Sequence, residues 1–423
     1  MSGEPVSFAE RPRHFTLKLV AFILSLGLLV TAITLGVLGY LRYESGYYEL
    51  TAAASETVAY AGDVKALVYF EGNSASVRAQ VSAANTVYSK ALEEIYIETD
   101  PDHTYASNIS IGRVSANPNT ATALDQKTYA LLKDASEEAA THSNFSLYGA
   151  PLYDFWDTLA GFPETTRAGQ DPINNAAAAT ELQSLVQHVQ SAATHCSLVF
   201  DDAARTVQLN VDDTYLAYRK TNEITSPILS FNLLRVACEC DAVSKALIAA
   251  GYTKGLLSSN DGLMMSLGGV DTTEYRLYDH DGTKSIYYGI LQGGGQSCCV
   301  EARRFENDAS RLASPYYQAK DASGTLHYRS PWINLQDGYP TDYLVSMAFR
   351  KKDLGIVRAT IEANEFAQAT NETSFASLKT AILKSGDLLS YNRKGESKKV
   401  YVNADESASL VLIKAEGYET ITY

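Results

Sequence analysis

Pro331-Trp332-Ile333-Asn334-Leu335-Gln336-Asp337-Gly338-Tyr339-Pro340-Thr341-Asp342-Tyr343 is the stretch on which the reading of this chain turns. A Gly two residues before a Pro is turn chemistry, because Gly reaches backbone angles closed to other residues and Pro fixes its own. The turn sits in a region, from Gly251 onward, that reads as short strands interrupted by one helix near Ser374–Lys384. Upstream the pattern changes. Val77, Val81, Ala84, Tyr88, Leu92 and Ile95 recur at helical steps and predict a helix over about 75–97, preceded by a strand at Val64–Phe70. A helix N-capped by Asp125 runs to about His142, and another over about 176–192 carries Leu182, Leu185 and Val189 on one face. Cys196–Asn210 reads as a hairpin turning at Asp201-Asp202, and a helix over about 238–250 stops at Gly251. A Ser/Asn/Thr-rich loop runs up to Pro118, and there is no internal repeat. Helices and strands mix without strict βαβ alternation, which predicts an α+β fold.

Further out lies the N-terminus. Leu19 to Leu41 holds no charged residue and is long enough for a membrane-spanning helix, too long for the apolar core of a cleaved secretory signal. Arg11, Arg13 and Lys18 precede it and Arg42, Glu44 and Glu49 follow, so the positive-inside bias places residues 1–18 in the cytoplasm. The expected organisation is a cytoplasmic 1–18, a signal-anchor helix 19–41, a linker 42–62 and an extracytoplasmic domain 63–423. The localisation implied is the cell membrane, single-pass, with the bulk of the chain outside. A net charge of -14 with scattered Asp and Glu disfavours nucleic acid and anionic lipid as partners.

Cys196, Cys238, Cys240, Cys298 and Cys299 make an odd set that cannot be fully paired within one chain, and none forms a C-x-x-C. They read as small buried residues, with a redox-active exposed pair as the alternative. No G-x-S-x-G, P-loop, H-E-x-x-H or dinucleotide G-x-G-x-x-G occurs, and Gly293-Gly294-Gly295 reads as a flexible turn. His188 reads as a solvated helix residue and His195 as no part of a metal site.

The order of several segments carries more. Tyr105-Ala-Ser-Asn-Ile-Ser110 is followed by Tyr129-Ala-Leu-Leu132, Ser143-Asn-Phe145, Gly149-Ala-Pro151-Leu152 and Phe155-Trp156. Then come Cys238-Glu-Cys-Asp241, Ala246-Leu-Ile-Ala-Ala-Gly251, Ser258-Ser-Asn-Asp261-Gly262, Ala313-Ser314-Pro315-Tyr316-Tyr317, Gly324, Tyr328 and the opening stretch itself. This succession resembles the FAD:protein FMN transferase (ApbE) family over nearly the whole extracytoplasmic region. The resemblance implies cleavage of FAD, transfer of FMN to a Thr of an extracytoplasmic acceptor protein, and Mg²⁺ to neutralise the pyrophosphate. By alignment it marks Asp241, Asp261, Gly262, Ser314, Gly338, Tyr339 and Pro340 as flavin-binding candidates. Trp332, Tyr316 and Tyr317 join Tyr339 as aromatic faces on which an isoalloxazine could stack.

The chain also departs from the family pattern. Val236-Ala237 stands for a Lys-Gly step, Asn260-Asp261-Gly262 for a glycine pair, Pro315 for a Gly, and Asn334 for an Asp whose neighbouring His is gone. The family's metal motif is an Asp four residues before a Thr. The threonines here are Thr360 and Thr370, preceded at that spacing by Ile356 and Phe366, so Thr360 is a weak metal candidate. Asp353, Glu362 and Glu365 are substitutes from a shifted register. The sequence thus predicts either a divergent transferase or a degenerate relative that binds flavin or a protein partner. A sensor is disfavoured, since residues 1–18 are too short for an output domain.

Overall fold

The computed structural model describes residues 44–53, 64–105, 110–259, 262–268, 273–281, 284–293, 297–302, 317–340, 343–353, 355–396 and 398–423. The expected anchor at 19–41 lies outside them, and among the described residues no helix is long and apolar enough to cross a membrane. The described residues fall into a small unit, residues 44–48 and 69–83, and a larger one holding the rest.

Part of the expected linker is a strand, β1 (Gly46–Glu49). Within the small unit Tyr47 packs edge-on to Tyr69 at 5.1 Å, and Tyr48 packs on Phe70 at 6.1 Å. The adjacent Tyr47 and Tyr48, pointing to opposite faces of the strand, supplied ring contacts that composition alone did not show.

β2 (Val64–Phe70) alternates buried and exposed residues as its sequence requires, and α1 (Ser74–Thr99) buries the anticipated Val77, Val81, Ala84, Tyr88, Leu92 and Ile95. After α2 (Ile111–Ala116) and β3 (Thr122–Ala123), α3 (Gln126–Thr141) begins at Asp125, whose carboxylate accepts from the Lys127 and Thr128 amides at 2.8 and 2.9 Å. α4 (Ala150–Ala160), with Pro151 in its first turn, and α5 (Glu164–Gln170) were not anticipated. α4 buries eight of its residues and leaves Asp154, Asp157 and Thr158 exposed as a short polar stripe.

α6 (Ala176–His195) leads into the hairpin β4 (Cys196–Asp201) and β5 (Thr206–Val211), whose turn is held by the Asp201 carboxylate accepting from the Ala203 and Ala204 amides. α7 (Asp213–Thr221) precedes α8 (Arg235–Ala249), after which Gly251 takes a φ of +89°. Then follow β6 (Gly255–Ser259), β7 (Leu263–Ser266), β8 (Thr273–Asp281), β9 (Lys284–Gly293), β10 (Cys298–Ala302), β11 (Tyr317–Lys320), β12 (Leu326–Arg329) and β13 (Leu344–Lys351). Two helices, α9 (Ile356–Ala367) and α10 (Glu372–Ile382), interrupt the strands where one was expected. β14 (Leu388–Arg393), β15 (Lys399–Val402), β16 (Leu410–Leu412) and β17 (Glu419–Thr422) complete the chain.

In the larger unit the main sheet runs β2-β6-β7-β10-β13-β14-β15-β17. Its neighbours pair antiparallel except β15 with β17, which are parallel. One apolar core joins α1, α2, α3, the β4–β5 hairpin, α8 and Ile361 of α9, and a second joins α4, α6 and the β11–β12 hairpin.

All five cysteines are buried and free. Burial pushes the Cys196 thiol up to about 12 and raises Cys238 and Cys298 further, so thiolate is scarce at neutral pH. This excludes an exposed redox pair. The native chain should therefore resist iodoacetamide at pH 8 at all five positions, and react fully once denatured, as intact-mass spectrometry would read.

Candidate functional site

The cleft is built where α1 ends. Tyr96 and Thr99 of its last turns, the following Asp100–His103 loop, Asp154 and Asp157 on α4, and Ser230–Asn232 with Arg235 at the head of α8 enclose about 250 Å³. Ser230 is held by its amide donating to the Leu147 carbonyl at 2.9 Å, and its hydroxyl accepts from Asn232 N–H. The Arg235 guanidinium lies 4.8 Å from the Tyr96 ring centroid and its Nε is 3.5 Å from Glu239 Oε1.

The lining is anionic, with four aspartates against one guanidinium. Asp100 is satisfied locally. Its oxygens accept from the Asp102 and His103 amides and the Tyr105 hydroxyl, and pair with His103 Nδ1 at 2.9 Å. Burial works against its ionised form, but those hydrogen bonds outweigh it and hold the carboxyl below its ordinary value. Asp102 is raised, by burial first and then by the nearby Asp100 and Asp154 charges. Sequence reading passed over this loop. Its signal was Asp100-Pro101-Asp102-His103 immediately after a long helix, a dense polar step without a periodic role.

The residues marked by family resemblance are not gathered here. Asp241 lies in the second turn of α8, since that helix starts at Arg235 and not near Cys238. Its carboxylate instead meets Lys245 Nζ at 2.7 Å on the surface. Gly262, with φ +87°, leaves no room for a Cβ, which would fall 2.1 Å from the Glu301 carbonyl oxygen. It opens β7 against β10, its carbonyl accepting from Glu301 N–H at 2.9 Å. Asp261, Ser314 and Tyr316 lie outside the described residues.

Gly338-Tyr339-Pro340 is a turn pressed into the second core. The Gly338 carbonyl accepts from Trp156 Nε1 at 2.8 Å, and a Cβ there would lie 2.4 Å from Val186 Cγ2. Tyr339 packs on Trp156 at 6.1 Å, and the Arg329 guanidinium stands 5.5 Å from both rings. Arg329 is itself bidentate on Asp171, at 2.8 and 3.0 Å, with the Tyr317 hydroxyl donating to the same carboxylate. Both partners of that ion pair are almost wholly buried. Trp332 and Tyr317 are also buried, so they are packing residues here and not open stacking platforms.

The donor set at the supposed cation site does not fit a divalent metal. Thr360, on the buried face of α9, donates its hydroxyl to the Ile356 carbonyl at 2.8 Å. One turn on, the Asn364 amide donates to the Asn144 carbonyl at 2.9 Å and its oxygen accepts from Gln368. Both groups are neutral and already engaged, whereas Mg²⁺ dehydrates reluctantly and needs a carboxylate or phosphate among its ligands. Thr370 sits beyond α9, beside the N-terminus of α10. Of the shifted-register carboxylates, Asp353 accepts from Gly355 N–H, Glu365 from Asn144 N–H, and Glu362 is clamped between Lys351 and Arg358.

His188 also departs from expectation. It is buried, not solvated, with Nε2 bonded to the Tyr215 hydroxyl at 2.8 Å and its ring stacked on Tyr215 and Tyr218. Burial, and then Arg219, hold its pKa down at about 4. His195 pairs with Asp212 at 2.5 Å and serves no metal cluster among the described residues.

No protein-family model matches the sequence, and no curated protein matches it. Solved structures do. The chain is similar to the ApbE protein of Thermotoga maritima, with TM-score 0.56 and 13% identity over 88% of this chain and 100% of that one. The flavin transferase ApbE of Vibrio cholerae follows with 0.53 and 14%, over 86% and 99%. The apo flavinyl transferase ApbE of Pseudomonas stutzeri gives 0.51 and 14%, over 84% and 93%. The chain's mixed α/β fold is thus similar to that of ApbE flavin transferases.

Gly338→Ala should destabilise the chain by about 2–5 kcal/mol, from the strained backbone and the clash together. Adding Val186→Ala should recover only the clash, as urea denaturation would measure. For His188 the folded state disfavours the proton, so its contribution is complete above the unfolded value of about 6.5 and is lost as pH falls towards 4. Up to about 3 kcal/mol goes in that window, and His188→Phe should flatten the stability profile there.

Proposed function

We propose that this chain is a membrane-anchored, extracytoplasmic relative of the flavin transferases that has kept their fold and lost metal-dependent transfer. It acts as a binding module, for a flavin or for a protein partner, in place of a catalyst. The observation that carries this reading is the donor set on α9, where the Thr360 hydroxyl and the Asn364 amide are both committed to backbone carbonyls. FMN transfer from FAD to a Thr needs the diphosphate charge neutralised, and nothing at that step supplies the means. A fold carries no guarantee of its relatives' chemistry.

The cleft beside α8 supports the same reading. Four carboxylates around one guanidinium repel a diphosphate and tolerate a neutral ligand better. Supporting the anchor are the uncharged run from Leu19 to Leu41 and its basic N-terminal flank.

Fluorescence titration of the purified full-length chain with riboflavin, FMN and FAD, with and without Mg²⁺, tests the proposal. Riboflavin and FMN should bind at least as well as FAD, without Mg²⁺ dependence, and no AMP should be released. No flavin should remain on an acceptor domain after denaturing electrophoresis. Tightening of FAD alone by Mg²⁺, together with AMP release, would restore the transferase. Lack of binding by all three would leave the protein-partner form of the module.

A further inference from the structure

We propose that the Asn364 side-chain amide has taken over the place of a bound cation. On this inference, the Thr360–Asn364 step of α9 is a converted cation site that one oxygen-for-nitrogen exchange turns back on. The inference rests on the reading above and deepens it.

The Asn144 carbonyl is a buried acceptor that needs a positively polarised partner. Asn364 Nδ2 supplies it at 2.9 Å. Its orientation is fixed by chemistry at both ends, because a carbonyl can only accept and Gln368 Nε2 donates to Asn364 Oδ1 at 3.0 Å. Asn144 makes further polar contacts beside it, one of them to α9. Asn144 N–H donates to Glu365 Oε1, Asn144 Nδ2 donates to the Ile333 carbonyl, and Thr360 lies one turn back along α9. The remaining carboxylate of α9's middle, Glu362, is neutralised by Lys351 and Arg358. The Asn144 carbonyl is therefore met by a single neutral N–H.

Asn364→Asp changes only that group. The new carboxylate would face the Asn144 carbonyl with two lone-pair oxygens opposed, which is unfavourable in a buried site. A divalent cation between them reverses the sign, taking the carboxylate, the Asn144 carbonyl and the Thr360 hydroxyl as oxygen ligands with water completing its shell.

The test uses the purified full-length chain, its thermal midpoint with EDTA or millimolar Mg²⁺ or Mn²⁺ at matched ionic strength, and Mn²⁺ binding by paramagnetic resonance. The wild-type midpoint should not respond to cation, and no stoichiometric Mn²⁺ should bind. Asn364→Asp should lose several degrees in EDTA, regain them with either cation and bind one Mn²⁺. Asn364→Ala, which removes the donor without adding charge, should lose stability that no cation restores. Should Asn364→Asp precipitate in EDTA, its recovery on refolding with Mn²⁺ supports the inference, and precipitation under both conditions overturns it. A wild-type Mn²⁺ site abolished by Asn364→Ala would overturn both this inference and the proposed loss of metal chemistry. A cation-indifferent Asn364→Asp in a chain that binds no Mn²⁺ would overturn the inference alone.

Discussion

Asn144 is the joint on which this structure depends. Its amide donates to Glu365, its carbonyl accepts from Asn364, and its side chain donates to the Ile333 carbonyl and accepts from the Leu335 amide. Those partners lie 221, 220, 189 and 191 residues away along the chain. One residue between α3 and α4, through its backbone to α9 and its side chain to the loop, therefore ties α9 to the segment that leads into the Gly338 turn. Buried and fully engaged, the four bonds act together, since releasing any one partner would leave an unsatisfied group inside the protein at about 1–3 kcal/mol.

A second polar joint sets the other side of that loop. Asp171, just beyond α5, receives Arg329 and the Tyr317 hydroxyl from the β11–β12 hairpin, and Arg329 in turn faces the rings of Trp156 and Tyr339. A buried ion pair adds little net stability over an apolar pair of the same shape, but removing one partner is expensive. Its effect here is on geometry. It fixes the hairpin against α4 and α6, and so makes the Gly338-Tyr339-Pro340 turn part of a core and not the rim of a pocket.

The two joints also explain how a fold similar to that of ApbE flavin transferases coexists with different side-chain chemistry. The similarity of fold persists at 13–14% identity. Catalytic charge placement depends on single atoms. At α9 an amide nitrogen faces the Asn144 carbonyl, and at the cleft aspartates outnumber the one arginine.

Much of the architecture was legible in the residues. β2, α1, α3, α6 and the β4–β5 hairpin follow from local periodicity, the Asp125 cap and the Asp201 turn, because those signals act within a few residues. The order of motifs along the chain likewise pointed to the fold that the solved structures share. α9 escaped because ten of its twelve residues are buried, polar ones such as Glu362 and Asn364 among them, so no solvent-facing stripe marks it. β1 escaped because its strand character comes from tyrosine packing in a stretch that reads as polar. The site was least legible. Nothing local says that Asn364 faces Asn144, that His188 is buried, or that Asp241 faces Lys245 on the surface, because each of these is settled by which elements the folded chain brings together. Tertiary packing alone placed a neutral amide against a carbonyl between residues 220 positions apart, and hydrogen-bond partners at that separation leave no mark on the sequence between them.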